Sequence, residues 1–267
     1  MDVNELFSVA GKTALVTGGA TGVGRMIAQA LAAGGARVLI ASRKADACAG
    51  AAAEIGRGAE GFAGDVGDAA GIDALVAAVK ARTDRVDILV NNAGVSWGAP
   101  LQRFPHDQWA RVMGVNVAGA FGVTRGLLPL LRAAASADQP ARILNIGSIM
   151  GSVPVTEGAY SYTMSKAAVH HMTKVFAAEF APWHITANAL APGPFKSNMT
   201  AFATGTEDGA ARVAANVPLG RLGRAEDLAG AVLFLCGPAG AYVSGAILPL
   251  DGGMSVKVPI DLFANTL

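Results

Sequence analysis

Thr13-Ala14-Leu15-Val16-Thr17-Gly18-Gly19-Ala20-Thr21-Gly22-Val23-Gly24 places an apolar strand, a glycine turn and a helix start in direct succession. Glycines without a Cβ let the backbone turn tightly and approach a ligand closely. The helix that follows presents free N–H groups and its positive end to a phosphate. The spacing is not the usual Gly-x-Gly-x-x-Gly fingerprint. Read alone, the stretch fits either a phosphate cradle or a plain strand–helix connector.

Outward from this stretch, short aliphatic runs alternate with longer Ala-rich segments. Candidate strands are Thr13–Val16, Arg37–Ala41, Gly61–Ala63, Asp87–Val90, Arg142–Ile146, Thr186–Leu190 and Ala246–Pro249. Several are nearly all apolar, as parallel strands covered on both faces should be. Helices are expected at about Gly22–Ala33, Ala45–Ile55, Ala69–Arg82, Gln108–Ala134, Ala159–Phe180 and Ala225–Leu235. This alternation predicts one α/β domain, a Rossmann-like doubly wound parallel sheet of about seven strands with helices on both faces. Right-handed crossovers bring the loops after the strands to one edge, where ligands bind.

Two segments depart from the rhythm. Pro192-Gly193-Pro194-Phe195 breaks the chain and Thr200–Gly209 is small and polar. Segment 193–217 therefore reads as a substrate-covering lid or as a surface insertion. The partly apolar tail, 254–267, either docks on a neighbouring subunit or folds back on its own chain.

The 267 residues are 52% hydrophobic and 15% charged, which suits a large core and excludes a disordered chain. Lys plus Arg is 21 against 20 for Asp plus Glu, which gives no electrostatic reason to expect nucleic acid or an anionic membrane as partner. No uninterrupted apolar run of about 18 residues marks a membrane span. The opening Met1-Asp2-Val3-Asn4-Glu5-Leu6-Phe7 lacks the basic-then-apolar order of a signal peptide. Cys48 and Cys236 lie far apart and read as reduced structural thiols of a cytoplasmic protein. His106, His170, His171 and His184 form no ligand pattern, so no catalytic metal is expected.

The remaining signals gather at strand ends. The second strand runs into Ser42-Arg43-Lys44, with no acid for a ribose 2′-hydroxyl and an Arg suited to a 2′-phosphate. This favours NADP(H) over NAD(H), the rival reading being a solvated arginine. Asp65-Val66 after the third strand suits an adenine ring or, equally, a helix N-terminus. Asn91-Asn92-Ala93-Gly94 follows the fourth strand as a turn. Asn116 sits inside a long helix, where Asn is a mediocre former and either faces solvent or marks a water-binding kink. Ser148 lies just past the fifth strand. Tyr162 and Lys166 stand four apart, hence on one helix face. A cation beside a phenol, which ordinarily titrates near ~10, favours phenolate and tunes it for proton transfer.

Together these residues resemble the short-chain dehydrogenase/reductase family, from about Gly11 to Gly253. The marks are Thr17-Gly18 through Gly24, Asn91–Gly94, Asn116, Ser148, Tyr162 with Lys166, and Pro192-Gly193. Tyr160 is a decoy, because its fourth neighbour is Met164. Within the family the chain is similar to bacterial 3-oxoacyl carrier-protein reductases, particularly those of rhamnolipid biosynthesis, through Ser96–Ala99, Leu127–Arg132, Pro140–Arg142 and Asn145–Ser148.

The resemblance implies an NADP(H)-dependent enzyme reducing a ketone, a 3-oxoacyl thioester first, with Tyr162 as general acid. Lys166 would lower the Tyr162 pKa and hold the nicotinamide ribose, Ser148 would bind the substrate oxygen, and Asn116 would hold a water. Gly18, Gly22, Val23 and Gly24 would approach the pyrophosphate, with Asp65 and Val66 near the adenine. Thr21 also belongs to the cofactor set, standing where NADP-preferring relatives often have a basic residue. That leaves Arg43 with Lys44, beside Ser42, to meet the 2′-phosphate. Asn92, Ala93 and Gly94 would line the adjoining ribose, and Pro192, Gly193, Phe195 and Ser197 the nicotinamide. Trp97, Met150 and Val153 would shape the substrate pocket. A homotetramer, or a homodimer, is implied. Two alternatives stay open: a dehydrogenase of a small or cyclic alcohol or sugar, and a non-catalytic NADP-binding regulator.

Overall fold

The computed structural model describes residues 2–154 and 157–257. In chain order the first half comprises α1 (Val3–Leu6), β1 (Thr13–Thr17), α2 (Gly22–Ala33), β2 (Arg37–Ser42), α3 (Ala45–Ile55), β3 (Glu60–Ala63), α4 (Ala69–Lys80) and β4 (Ile88–Asn91). The second half comprises α5 (His106–Met113), α6 (Ala120–Ala134), β5 (Ala141–Ile146), α7 (Tyr160–Phe180), β6 (Ile185–Pro192), α8 (Ala201–Thr204), α9 (Glu207–Ala214), α10 (Ala225–Cys236) and β7 (Ile247–Leu250).

All seven strands run parallel in the order β3-β2-β1-β4-β5-β6-β7. The order reverses between β1 and β4, so their carboxyl ends flank the crevice where such sheets bind ligands. Every residue of β1 is buried. Ala14 and Val16 join Ile27, Leu31, Leu228 and Val232 in one core, while Leu15 joins Leu75, Val123, Leu127 and Phe176 in the other. The period-two alternation of a strand thus feeds both layers. Cys48 and Cys236 are unpaired and buried, as read.

The expected helix over 108–134 is more structured than its periodicity suggests. Helix α5 passes through a π-helical segment, Gly114–Gly119, into α6. The cause is long-range: Asn116 Nδ2 donates to Val95 O at 3.0 Å and Ser165 Oγ at 2.9 Å, and its Oδ1 accepts from Val95 N. The combined run His106–Ala134 is, among the described residues, the one helix long and apolar enough to cross a bilayer. Here it packs on β4, β5, α4 and α7 inside the domain.

Two further differences concern the departing segments. Strand β6 continues through Pro192 and the break falls at Gly193. Segment 193–217 carries α8 and α9, the latter capped by Thr206 Oγ1, which accepts from Gly209 N at 3.1 Å. Of the tail, Met254–Val256 forms a 3-10 turn; residues 258–267 lie outside the described residues.

Candidate active site

The crevice is laced together by β1 and β4. Thr17 Oγ1 donates to Val90 O and accepts from the N–H groups of Asn92 and Ala93, both at 3.1 Å. Asn92 Nδ2 donates back to Thr17 O and Gly18 O. Gly18 has φ +66°, and a Cβ there would stand 2.9 Å from Asn92 Nδ2; at Gly24 it would overlap the same amide. Glycine is thus required for the two loops to meet. Helix α2 begins at Thr21 with no side-chain cap and no acid in its first turn. Its leading N–H groups and positive end are left for an anion.

Beyond the turn, a cavity of about 260 Å³ is lined by Arg43, Asp65, Gly64 and Leu75. Asp65 does not cap α4; Asp68 does, accepting from Gly71 N at 2.8 Å. Asp65 Oδ1 instead accepts from Gly67 N and shapes the loop at the cavity. An uncapped helix, a glycine turn and a guanidinium at a cavity mouth are parts that fit a dinucleotide with an extra phosphate. Other expected contacts are qualified by the geometry. The Ser42 hydroxyl faces Cys48 Sγ at 3.0 Å, Lys44 holds the exposed N-cap position of α3, and the Val23 and Val66 side chains lean into the cores.

At the other end Ser197 closes on the glycine turn: a Cβ on Gly22 would lie 3.0 Å from Ser197 Cβ. Ser197 Oγ lies 3.1 Å from Thr200 Oγ1, and Gly193 packs on Asp251. The ring of Phe195, a residue expected at the nicotinamide, is buried. It is 3% exposed, packs in the core and fills the space a side chain at Gly223 would need. The slot at Gly223, distant in sequence, decides that orientation.

The residues expected to transfer protons meet at the carboxyl ends of β5 and β4. Ser148 follows β5, its Oγ accepts from Met150 N at 3.2 Å, and the hydroxyl lies beside the Tyr162 phenol, whose pKa it lowers. Lys166, buried, lies with Nζ 5.6 Å from the Tyr162 ring centroid and donates to Ile146 O at 2.6 Å. Asn116 approaches from the π segment through Ser165, whose hydroxyl donates to Tyr162 O. Beneath them runs a buried relay that sequence reading missed: Asn91 Nδ2 donates to Thr124 Oγ1 and Asn145 Oδ1, and Asn145 Nδ2 donates to Thr173 Oγ1. It pins β4 and β5 between α6 and α7. Trp97, Met150 and Val153 are exposed or half-buried.

One expectation is corrected. Lys166 was to lower the Tyr162 pKa, yet the phenol lies above its ordinary value, because burial raises it more than the Ser148 hydrogen bond lowers it. Lys166 is itself brought down to about 8 by burial. Desolvation sets the direction at both groups.

A doubly wound parallel sheet with a glycine turn at its switch point and a Ser–Tyr–Lys cluster beside it defines a dinucleotide-linked oxidoreductase. The family model described as "Enoyl-(Acyl carrier protein) reductase" matches residues 18–255. The chain is 45% identical over 249 residues to the rhamnolipids biosynthesis 3-oxoacyl-[acyl-carrier-protein] reductase of Pseudomonas aeruginosa, covering 92% of this chain and 97% of that one. It is 38% identical to a galactitol 2-dehydrogenase (L-tagatose-forming) of Cereibacter sphaeroides, over 96% of this chain and all of the other. The solved Pseudomonas aeruginosa RhlG/NADP active-site complex superposes with a TM-score of 0.91 at 44% identity, over 94% of this chain and 99% of that one. The chain belongs to the short-chain dehydrogenase/reductase family.

Proposed function

We propose that the protein is an NADP(H)-dependent reductase that converts the ketone of a 3-oxoacyl thioester into a secondary alcohol. The observation that carries this reading is the convergence of Ser148, Tyr162 and Lys166 beside the β1–β4 crevice. The likeness to the rhamnolipid reductase supports the substrate class, and the Arg43 cavity and the NADP of the RhlG complex support the cofactor.

The nicotinamide, when bound, supplies hydride to the carbonyl carbon. Ser148 holds the carbonyl oxygen by hydrogen bond. Tyr162, kept protonated at neutral pH by its raised pKa, gives that oxygen its proton. Lys166 adds positive charge beside the phenol as the proton leaves and reaches toward the nicotinamide ribose. Asn116 orders the space behind Lys166, where a water would restore the proton. Segment 193–217 acts as the lid, with Ser197 toward the carboxamide. Gly18, Gly22 and Gly24, with the backbone of Val23 and Thr21, take the pyrophosphate; Asn92, Ala93 and Gly94 take the adjoining ribose.

The assembly we propose is a homotetramer in the cytoplasm. Phe121 on α6 and Met164 and Val175 on α7 are exposed apolar side chains, about half accessible, on the two long helices suited to pairing. Sedimentation should show four chains; a monomer at micromolar concentration would contradict it.

Arg43→Ala should weaken NADPH by roughly tenfold to a hundredfold while leaving NADH within about twofold, as expected for losing charge-assisted phosphate contacts. Equal losses with both cofactors would remove the 2′-phosphate argument. The galactitol relative favours a second reading, polyol oxidation. Comparing kcat/KM for a short 3-oxoacyl thioester and for galactitol decides between them, and a preference for the polyol would overturn the thioester assignment.

A further inference from the structure

Ser148 sits on a short loop, residues 147–152, and the side chain that braces this loop lies outside the proton-transfer cluster. His170 is one helical turn past Lys166 on α7 and is 7% exposed. Its Nδ1 lies 3.2 Å from Ser152 Oγ. Its ring edge occupies the room that side chains would need at both ends of the loop. A Cβ on Gly147 would overlap His170 Nε2, and one on Gly151 would stand 2.8 Å from Cε1. The imidazole is therefore wedged between the helix bearing Tyr162 and Lys166 and the loop bearing Ser148.

The wedge is polar where an apolar one would cost less. His170 Nε2 is buried without a hydrogen-bond partner among the described residues, an arrangement that proteins rarely keep. In the tautomer that donates Nδ1–H to Ser152 Oγ, Nε2 carries only a lone pair, which is cheaper to leave unmatched than an N–H. Burial, then Lys166 and Lys174, push the ring down to about 4, so it stays neutral. A neutral ring adds no second cation next to Lys166. Leucine would fill the volume with no orphaned atom, so the hydrogen bond to Ser152 is the feature that histidine adds.

We propose that His170 is a positioning residue that sets the placement of Ser148 relative to Tyr162 through Ser152, Gly147 and Gly151. This rests on the reading of Ser148 as the group that holds the substrate oxygen. A displaced Ser148 would misalign the carbonyl with the Tyr162 phenol, and small misplacements of reacting groups are costly.

The test is steady-state reduction of a 3-oxoacyl thioester by NADPH with His170→Leu, His170→Asn, Ser152→Ala and Ser148→Ala. His170→Leu and Ser152→Ala should each lower kcat about tenfold with NADPH affinity within about twofold. The double variant should lose no more than either single one, because both break the same link. His170→Asn, which can place an amide near the Nδ1 position, should recover most of kcat. Ser152 is exposed, so Ser152→Ala tests the link even if His170→Leu folds poorly. If Ser148→Ala is inactive while His170→Leu and Ser152→Ala turn over like wild type, the positioning role is wrong and the Ser148 reading stands. A positioning role is also refuted if His170→Asn is as poor as His170→Leu. If Ser148→Ala is fully active, the Ser148 reading itself fails.

Discussion

Replacing Tyr162 by Phe is expected to lower kcat for ketone reduction roughly a thousandfold, within the range that general acids contribute, while NADPH still binds. In the proposed mechanism the phenol gives its proton to the oxygen that Ser148 would hold. Its pKa is raised by burial, so at neutral pH the acid form is fully populated. The ring volume is kept, and what is removed is the hydroxyl's interaction with Ser148, worth at most roughly 1 kcal/mol of stability. The melting temperature should therefore fall only slightly. Stopped-flow turnover beside a cofactor titration checks both halves. Turnover within a few-fold of wild type would assign the proton to another group.

Replacing Lys166 by Met should also remove activity, by roughly 10²–10⁴-fold, but should not destabilise the fold at pH 7. Burial brings this lysine down to about 8. The sign follows from linkage: the folded protein carries a buried ammonium that the unfolded chain holds in water, so the penalty is present below pH 8. It fades as the pH rises from there toward the ordinary lysine value. The shift corresponds to roughly 3 kcal/mol, against roughly 1 kcal/mol lost with the hydrogen bond to Ile146 O. The variant should thus melt at or above the wild-type temperature at pH 7 and lose that advantage as the pH approaches about 10. A melting temperature several degrees lower at pH 7 would mean that the ammonium stabilises the fold, contrary to this account.

Most strands were legible because parallel strands buried on both faces are nearly pure aliphatic runs. Helices α2 and α3 agree at both ends with the expected spans, and each stops at a glycine, Gly34 and Gly56. The π segment at Gly114–Gly119 was not legible. It depends on Asn116 reaching Val95 and Ser165, which no local periodicity encodes. The burial of the Phe195 ring was hidden for a similar reason, because Gly223 opens the slot it fills. Tyr162 shows the limit in electrostatics: the neighbouring Lys166 can be read from spacing, whereas the burial that raises the phenol's pKa exists only once the helix is packed. His170 was seen only as a histidine without a ligand pattern; its contacts with Gly147, Gly151 and Ser152 exist only once α7 lies against the β5 loop.

The central claim is that the Tyr162 phenol and a reduced nicotinamide meet over one ketone in the β1–β4 crevice. Single-turnover reduction of a 3-oxoacyl thioester with NADPH deuterated at the transferable position tests it most directly, read by mass spectrometry of the alcohol. The wild type should place one deuterium on the new carbinol carbon, and Tyr162→Phe, saturated with the same cofactor, should yield almost none. Equal label in both proteins, or no labelled alcohol from the wild type with any ketone despite tight NADPH binding, would contradict the account.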